Sequence, residues 1–509
     1  MIGVNGAAVG DGILTALGAT RGDPESLEAL VAGQRGRRLL TLRALLDAVR
    51  AAPAGVLPAG AAERLTRDWR LLERAERADP GAARAVVHYP LTGAWAERCL
   101  RALGRGEPPP VAGLGHLGSI AAAAAARAGL RFAADLPLHE GAVLLPTLGN
   151  YRPPAGHTRA RVAGDGRALW LWTAAGPEPA PYGGSRREDP WREDPLPDGS
   201  RHDGPWQDGS QHDGSRQARS RRVSRGPGPG GAARPVVIRP GPDGVWRSAA
   251  PGWLPLRALR SASGRTVLLD DADPYRDEEH PTNPYGLTAV AALDGAEHAR
   301  WRTAWQDAQV WLGLGDGSRA REVDALLDCF VPLAGSATAR CSATRGEAFG
   351  ALLSSTPRGG LDLAATLVHE LQHAKLLALS ALTVLHTADG TPGYWAPWRP
   401  DPRPFDGLFQ GAYAHLALAD FHLDVALSDA SPAHRDAAWA DHCRCRQQVG
   451  AALPQLLGSS RLTPHGFTLV KAMAAHHTRL REHAPPNGHL ARATAYVETS
   501  RVIWRRGRR

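Results

Sequence analysis

The chain has 509 residues, of which 22% are charged and 43% hydrophobic, a composition typical of soluble globular proteins with two or three domains. The formal net charge of +9 is almost entirely arginine, since lysine occurs only at Lys375 and Lys471, and no RNA-binding motif accompanies it, so nucleic acid is not expected as a partner. The absence of an uncharged apolar run of about 18 residues argues against a membrane span, and five cysteines predict a reducing, cytoplasmic setting without a disulfide framework.

The first region, residues 1–175, is predicted to be mainly helical with a small β component. Apolar residues recur at three- and four-residue spacing in 27–49 and 61–78, and 119–132 is an alanine-dense helix. Short strands are expected at 142–145, 159–162 and 168–172.

The composition changes in a second region, residues 176–235, which is rich in Gly, Pro, Asp and Arg. A ten-residue segment beginning at Asp198 nearly repeats from Asp208, so that His202 recurs as His212. With so few apolar residues, this region is predicted to be a disordered insert. A slipped repeat in a tolerant loop explains its histidines better than metal binding does.

Structure is expected to resume in a third region, residues 236–509, which carries the candidate chemistry. Strands are predicted at 236–239, 246–247, 266–269 and 350–354, and helices at 297–313, 318–329, 361–385, 409–428 and 432–457. The predicted fold class is mainly α with a small β component (α+β).

The most informative motif is His369-Glu370-Leu371-Gln372-His373, an HExxH sequence inside an Ala/Leu-rich helix. Residues four apart lie on one helix face, so both imidazoles can reach one metal ion. Glu370 lies beside them, where it can accept a proton or steer a bound water. Histidines on such an apolar helix need a partner, and the pattern predicts a metal site.

A third protein ligand must come from elsewhere in the chain. No glutamate occurs between Glu370 and Glu482, which excludes a glutamate from a helix soon after the motif, although aspartates remain possible. The best-placed histidine is His415, on a predicted second helix packed against the first, and a hydrogen-bonded core histidine is the alternative reading. His422 lies about 10 Å farther along that helix. Zinc hydrolysis and non-heme iron chemistry both remain open.

Between these two helices lies a proline-dense segment, residues 394–406, which predicts a rigid loop. It holds Arg399 and Arg403 between aromatic residues and prolines. Solvated surface arginines are the ordinary interpretation. The functional alternative is a guanidinium fork for a carboxylate such as that of 2-oxoglutarate.

These features together resemble a known family, the HExxH-motif proteins of ribosomally synthesised peptide (RiPP) pathways, which are iron(II)- and 2-oxoglutarate-dependent peptide β-hydroxylases. The pairing of the HExxH motif with the Pro-Trp-Arg…Asp-Pro-Arg-Pro loop carries the resemblance most specifically. The similar segments are 22–31, 37–46, 87–95, 141–149, 252–257, 268–276, 342–350, 369–373, 396–404 and 411–416.

The resemblance implies that His369 and His373 bind Fe(II), with His415 completing the site. It also implies that Arg403, or else Arg399, holds the 2-oxoglutarate carboxylate. Iron, 2-oxoglutarate and O₂ would then hydroxylate a β-carbon of a precursor peptide, the expected substrate and partner. Glu370 would orient a ligand rather than act as a hydrolytic base.

Two alternatives stay open at this point. The first is a zinc metallopeptidase that processes a peptide with Glu370 as its general base. The second is a catalytically idle peptide-binding protein with a closed, structural metal site, in which His422 or an aspartate is the fourth ligand.

Overall fold

The computed structural model describes residues 9–53, 56–58, 60–107, 109, 111–175, 235–277, 288–290, 292–334, 341–486 and 488–506. The insert predicted at 176–235 lies outside the described residues except for its last position. The fold is mixed α+β and is 56% helical. No helix in the described ranges is both long and apolar enough to cross a membrane.

The helices of the described residues are α1 (Asp11–Gly18), α2 (Pro24–Ala51), α3 (Ala61–Ala78), α4 (Pro80–Val87), α5 (Pro90–Gly104), α6 (Val111–Arg127), α7 (Gly295–Leu312), α8 (Ser318–Leu326), α9 (Gly360–Leu382), α10 (Phe405–Leu427), α11 (Pro432–Leu457), α12 (Pro464–Leu480) and α13 (His489–Arg506). The strands are β1 (Arg131–Leu136), β2 (Val143–Leu145), β3 (Gly149–Tyr151), β4 (His157–Asp165), β5 (Leu169–Ala175), β6 (Val236–Pro240), β7 (Trp246–Arg247), β8 (Trp253–Pro255), β9 (Arg257–Arg260), β10 (Thr266–Leu269), β11 (Cys329–Leu333), β12 (Ser342–Ala343) and β13 (Ala351–Ser355).

The chain divides into two compact units, and both are discontinuous in sequence. Unit 1 takes its residues from 1–51, 86–107 and 256–509, and unit 2 takes its residues from 52–85 and 108–255. The regions predicted from the sequence, 1–175 and 236–509, are continuous stretches of chain. Each unit of the structure instead contains segments from both of these regions.

Unit 2 combines antiparallel sheets with two packed helices. Its larger sheet has the order β1-β4-β5-β6-β7, and a small one has the order β2-β3-β8. Every strand pair in these sheets is antiparallel. Helix α6 packs on α3 and on β1, and its alanines 121–125 are fully buried. Because alanine has a small side chain, this helix can approach its neighbours closely.

Unit 1 is built on a mixed sheet of order β12-β13-β11-β10-β9. Strand β11 lies in its middle and pairs in parallel with β10 and β13. All five residues of β11 are buried, as expected of a central parallel strand with an almost continuous apolar sequence. The helix predicted at 318–329 ends at Leu326, and Cys329 already belongs to this strand.

Helices cover this sheet and form most of the core of unit 1. Trp301 and Trp305 of α7 pack on Phe330 of β11, with ring centroids 5.1 and 5.5 Å apart. Helix α9 packs against α7 on one side and against α10 on another, and α10 packs extensively on α11. Helix α9 is therefore largely internal: before its last three residues, 380–382, which are exposed, only one narrow stripe of its surface is partly exposed.

A buried ionic network joins the N-terminal segment of unit 1 to three of its helices, α8, α9 and α10. Lys375 of α9 pairs with Glu322 of α8, and both are 1% exposed. Arg319 donates to Glu322 at 2.8 Å and to Asp420 of α10 at 2.9 Å. Lys375 also donates to the carbonyl of Thr20, at 2.7 Å. The network closes on the N-terminal side through Arg21, which pairs with Asp316, Asp420 and Asp424.

A second buried polar cluster follows β10. The phenol of Tyr89 donates to Asp270 at 2.6 Å, and the other oxygen of Asp270 accepts from the backbone N–H groups of residues 272 and 273. Asp273 accepts from the backbone N–H of Tyr275 at 2.8 Å. Burial and the neighbouring Asp270 raise the pKa of Asp273 to about 8, because either carboxylate is costly to ionise there.

Candidate metal centre

The HExxH sequence lies in the middle of α9. One face of this helix is buried in the core, and another face is partly exposed. Leu363, Leu367 and Leu371 point into the core of unit 1. The partly exposed positions of this helix recur at three- and four-residue spacing and form a single stripe: Leu361, Asp362, Ala365, Thr366, His369, His373 and Leu377. Both histidines of the motif therefore face the same open side.

The two imidazoles converge through their Nε2 atoms, which are 3.1 Å apart. Two donors at right angles on one ion, each about 2.1 Å from it, would lie about 3.0 Å apart, so this spacing fits a shared metal. In the absence of an ion, the same distance accommodates an N–H···N hydrogen bond. Burial, and then the neighbouring His373, lower the pKa of His369 to about 4. His369 is therefore neutral at pH 7, as a metal ligand must be.

Helix α10 brings His415 to the same place. Its ring centroid is 5.8 Å from that of His369, compared with 4.8 Å between the rings of His369 and His373. Burial, and then the nearby His369, lower the pKa of His415 to about 3, so this imidazole is also neutral. Among the described residues, no group of three or more His, Cys, Asp or Glu side chains has the arrangement of a formed metal site. The three histidines are thus neighbours, with one close pair.

Hydrogen bonds to the Nδ1 atoms fix two of these rings. His373 Nδ1 lies 3.1 Å from Oε1 of Gln410, and His415 Nδ1 lies 2.8 Å from the carbonyl oxygen of Gly411. A proton on each Nδ1 leaves the lone pair on Nε2, the nitrogen that is then free to bind a metal. The side chain of Gln410 and the carbonyl of Gly411 therefore act as positioning groups.

The proline-dense loop covers the other side of His415. The Trp398 ring stacks on the His415 ring at 4.6 Å with an interplanar angle of 18°, and it also lies over Gly411. The loop is closed by a bridge in which the backbone N–H groups of Tyr394 and Arg403 each donate to the other residue's carbonyl. The segment forms a loop, as predicted, and its tryptophan packs on the candidate ligand.

The two arginines of this loop point to a common carboxylate. Arg399 Nε is 3.1 Å and Arg403 Nη1 is 3.4 Å from the oxygens of Asp401. Arg403 also lies over Gly407, two helical turns before His415, which is about 12 Å along α10. The structure thus brings both predicted arginines to the start of α10, whereas His415 lies near its middle.

Glu370 is 3% exposed and faces β12 and the residue after it. Its Oε1 accepts from the hydroxyl of Ser342 at 2.7 Å, and its Oε2 accepts from that of Thr344 at 2.9 Å. With a hydrogen bond to each oxygen, the carboxylate anchors α9 to the edge of the sheet.

A cleft of about 990 Å³ opens beside His369. Its walls come from α7, the start of α9, α10 and α11. The polar and ionic residues that line it are Asp307, Ser342, Arg358, Asp362, Thr366, His369, His422, His434, Asp441 and Arg444. Apolar side chains, including Val310 and Trp311, line the rest. A cavity of this size can hold several residues of a peptide.

His422 lies in the same cleft but is held differently from His415. It is 8% exposed, and its buried Nδ1 has no hydrogen-bond partner among the described residues. Burial lowers its pKa to about 4, although the carboxylate of Asp441 opposes this shift. His422 is therefore a neutral imidazole on the cleft wall, seven residues beyond His415 on α10.

The sequence did not indicate the residues that hold the motif in place, which are Gln410 and Trp398 for the histidines and Ser342 and Thr344 for Glu370. Each depends on a tertiary contact. Trp398 belongs to the Pro-Trp-Arg motif of the loop, but the motif does not predict that its ring stacks on His415. Gly411 gave a partial signal, because glycine inside a helix indicates close packing of another group.

No protein-family model matches this sequence, and no curated protein matches it either. The resemblance described above therefore stands on its motifs alone.

Proposed function

We propose that this protein is an Fe(II)- and 2-oxoglutarate-dependent oxygenase that hydroxylates a side chain in a ribosomally synthesised precursor peptide. The observation that carries the proposal is the convergence of His369, His373 and His415 beside a cleft large enough for a peptide. Two histidines on one helix and a third on its neighbour form a donor set with positions left over for other ligands, as oxygenase chemistry requires.

The three histidines supply the nitrogen donors that a divalent transition metal takes, although only His369 and His373 are close enough to share an ion as they stand. The imidazoles of His369 and His373 have their Nε2 atoms 3.1 Å apart, and His415 is oriented by the carbonyl of Gly411. In the proposed enzyme these three residues would hold iron(II), which together with 2-oxoglutarate would supply the activation of O₂. Gln410 and Trp398 fix the rings so that binding requires little reorganisation.

The cleft supports a bulky substrate. It is open, its lining is partly apolar, and His369 lies on its wall. A peptide strand bound along α9 would bring a side chain to the histidines while its backbone stays in the wider part of the cleft. The protein's task in this reaction is to hold one β-carbon near the metal position and to limit the access of water.

The environment of Glu370 favours oxygenation over hydrolysis. A general base for a metal-bound water needs a carboxylate oxygen that faces that water. Both oxygens of Glu370 instead accept hydrogen bonds from the hydroxyl groups of Ser342 and Thr344. These bonds support the role of an anchor that sets the position of the histidine helix.

The 2-oxoglutarate carboxylate has more than one candidate partner. Arg399 and Arg403 are both engaged by Asp401, so either would have to leave that carboxylate in order to bind another. Two other arginines line the cleft: Arg444, which pairs with Asp441 at 2.8 Å, and Arg358, which has no ion pair with any described residue. The assignment to Arg403 or Arg399 stays a prediction, and Arg358 is its strongest competitor.

The test is co-substrate turnover by the full-length protein. Protein purified without oxygen and loaded with Fe(II) is mixed with 2-oxoglutarate, O₂ and a candidate precursor peptide. We expect peptide-dependent succinate and a gain of one oxygen atom in the peptide, both abolished by His369→Ala. Glu370→Gln should reduce the activity without abolishing it.

A different result would overturn the proposal. If the zinc-loaded protein shortens the peptide without O₂, and Glu370→Gln abolishes that cleavage while metal is retained, the protein is a peptidase. Binding of metal without either reaction, in a site that leaves no position open to an added ligand, would indicate a structural centre instead.

A further inference from the structure

A second cavity lies between α11, α12 and α13, away from the candidate metal centre. Its volume is about 460 Å³, within the range of small-molecule sites. It shares no lining residue with the cleft beside His369. Its residues are Arg446, Gln447, Gly450, Ala451, His477, Arg481, Leu490, Thr494, Val497, Glu498 and Arg501.

The charges that line this cavity do not balance. Three arginines are present with one carboxylate, that of Glu498, which lies 3.1 Å from Arg501. Within the described part of the chain, neither Arg446 nor Arg481 forms an ion pair. His477 adds no negative charge, because a histidine is either neutral or cationic.

Arg446 is the most constrained of the three arginines. It is 5% exposed, and its Nη1 donates to the carbonyl of Leu480 at 3.1 Å and more weakly to that of His483. Carbonyl groups satisfy donors but carry no net charge, so the guanidinium stays uncompensated. Burial lowers the pKa of Arg446; Cys443 opposes this, and the second guanidinium of Arg481 lowers it further.

We propose that this cavity binds the oxyanion group, phosphate or carboxylate, of a small anionic ligand. Guanidinium groups bind such oxygens through paired, charge-assisted hydrogen bonds. An anion here would neutralise Arg446 and Arg481 together. It would also connect α11 and α12 to α13 through Arg501.

The experiment is a calorimetric titration of the full-length protein, in chloride buffer of fixed ionic strength, with inorganic phosphate and separately with succinate. We expect saturable binding of at least one of them, and the stronger of the two identifies the class of group. Arg481→Gln should weaken that binding about tenfold or more. Glu498→Gln should strengthen it, because this change removes the carboxylate that competes for Arg501.

The matched control is Arg435→Gln, which removes an exposed arginine of α11 outside the cavity and should leave binding unchanged. Absence of saturable binding for both anions would overturn the proposal. So would equal binding by the parent protein and Arg481→Gln, since the anion would then be bound elsewhere. None of these outcomes depends on iron or on peptide hydroxylation.

Discussion

The three histidines differ in what holds them, and this difference has consequences for metal binding. His373 depends on a side-chain amide, that of Gln410, whereas His415 is held by a backbone carbonyl and a stacked tryptophan. A backbone partner cannot be removed by substitution, but an amide can. Gln410 is therefore the most direct point at which to test whether orientation of the rings matters.

Replacing Gln410 by leucine should weaken metal binding by about 10- to 100-fold, because His373 loses the acceptor that fixes its tautomer and its ring. The measurement is a competition titration of Fe(II) or Zn(II) against a chromophoric chelator. Gln410→Glu keeps an acceptor at the same position and should retain most of the affinity. Parent-like affinity in the leucine variant would show that the ring needs no such support.

The contact between the proline-dense loop and α10 depends on glycine. A methyl group at Gly411 would overlap the ring of Trp398, whereas one at Gly407 would approach only the flexible side chain of Arg403 and the adjacent Pro404. Gly411→Ala should therefore displace the tryptophan from His415, with a loss of about 1–3 kcal/mol in stability. Gly407→Ala is the matched control.

The displacement can be followed by metal titration and by tryptophan fluorescence. We expect Gly411→Ala to weaken metal binding and to change the emission spectrum, and Gly407→Ala to do neither. Equal behaviour of the two variants would mean that the stacked tryptophan is unimportant for the site.

The turn after β10 predicts an unusual pH dependence. In an unfolded chain an aspartate ionises near pH 3.9, whereas Asp273 in the fold keeps its proton to about pH 8. Between these values the folded protein binds a proton that the unfolded chain has lost. The contribution of Asp273 to the free energy of unfolding is therefore fully present below about pH 4. It declines as the pH rises toward 8, by at most about 1.4 kcal/mol per pH unit.

Asp273→Asn should flatten this decline, because the amide oxygen can still accept from the backbone N–H of Tyr275 and has no proton to lose. Thermal unfolding measured at several pH values between pH 5 and pH 8 gives the slope. Asp429→Asn, an exposed position, serves as the control. An unchanged slope in the Asp273 variant would show that another group dominates in this range.

Much of the secondary structure could be predicted from local sequence patterns, and some elements that were not predicted have patterns that fit more than one structure. Helices α3 and α11 and strands β7 and β10 begin and end at the predicted residues, because apolar periodicity, proline and glycine mark their ends. β11 was not predicted: its first residue, Cys329, was assigned to the end of a helix, because a short apolar run fits either a buried helix or a central strand. Helices α12 and α13 were not predicted, although α12 buries Leu469, Val470, Met473, His476 and Leu480 at the three- and four-residue spacing of an amphipathic helix.

The parts of the candidate site that depend on spacing along a single helix could be predicted from the sequence. The i, i+4 spacing gave His369 and His373 a common face, and the lack of nearby glutamates directed attention to His415. The partners of these residues could not be predicted, because Trp398, Gln410 and Ser342 meet them only through the packing of separate elements. The final positions of Arg399 and Arg403 likewise depend on Asp401, which is a feature of the folded loop.

The buried ionic network is expected to be a major determinant of the stability of unit 1. Lys375→Met leaves Glu322 buried with one cation fewer, and loss of one partner of a buried pair typically costs about 3–5 kcal/mol. The midpoint of urea denaturation should therefore fall strongly. The other lysine of the chain, Lys471, is exposed, so Lys471→Met is a natural control that should change little.

Two results would contradict this expectation. One is a midpoint that falls equally in both variants, which would reflect loss of any positive charge. The other is a midpoint unchanged in Lys375→Met, which would mean that Arg319 alone compensates Glu322.

The same network has a consequence for how the protein is made. Arg21 leaves the ribosome early, but its partner Asp424 is 403 residues further along the chain. At about 5–20 residues per second, that interval takes roughly 20–80 s. During this time the N-terminal helices have none of the buried partners that neutralise Arg21 in the fold. We therefore expect nascent chains to depend on chaperones and to stay open to proteases until α10 has emerged, because unit 1 cannot complete its buried network before then.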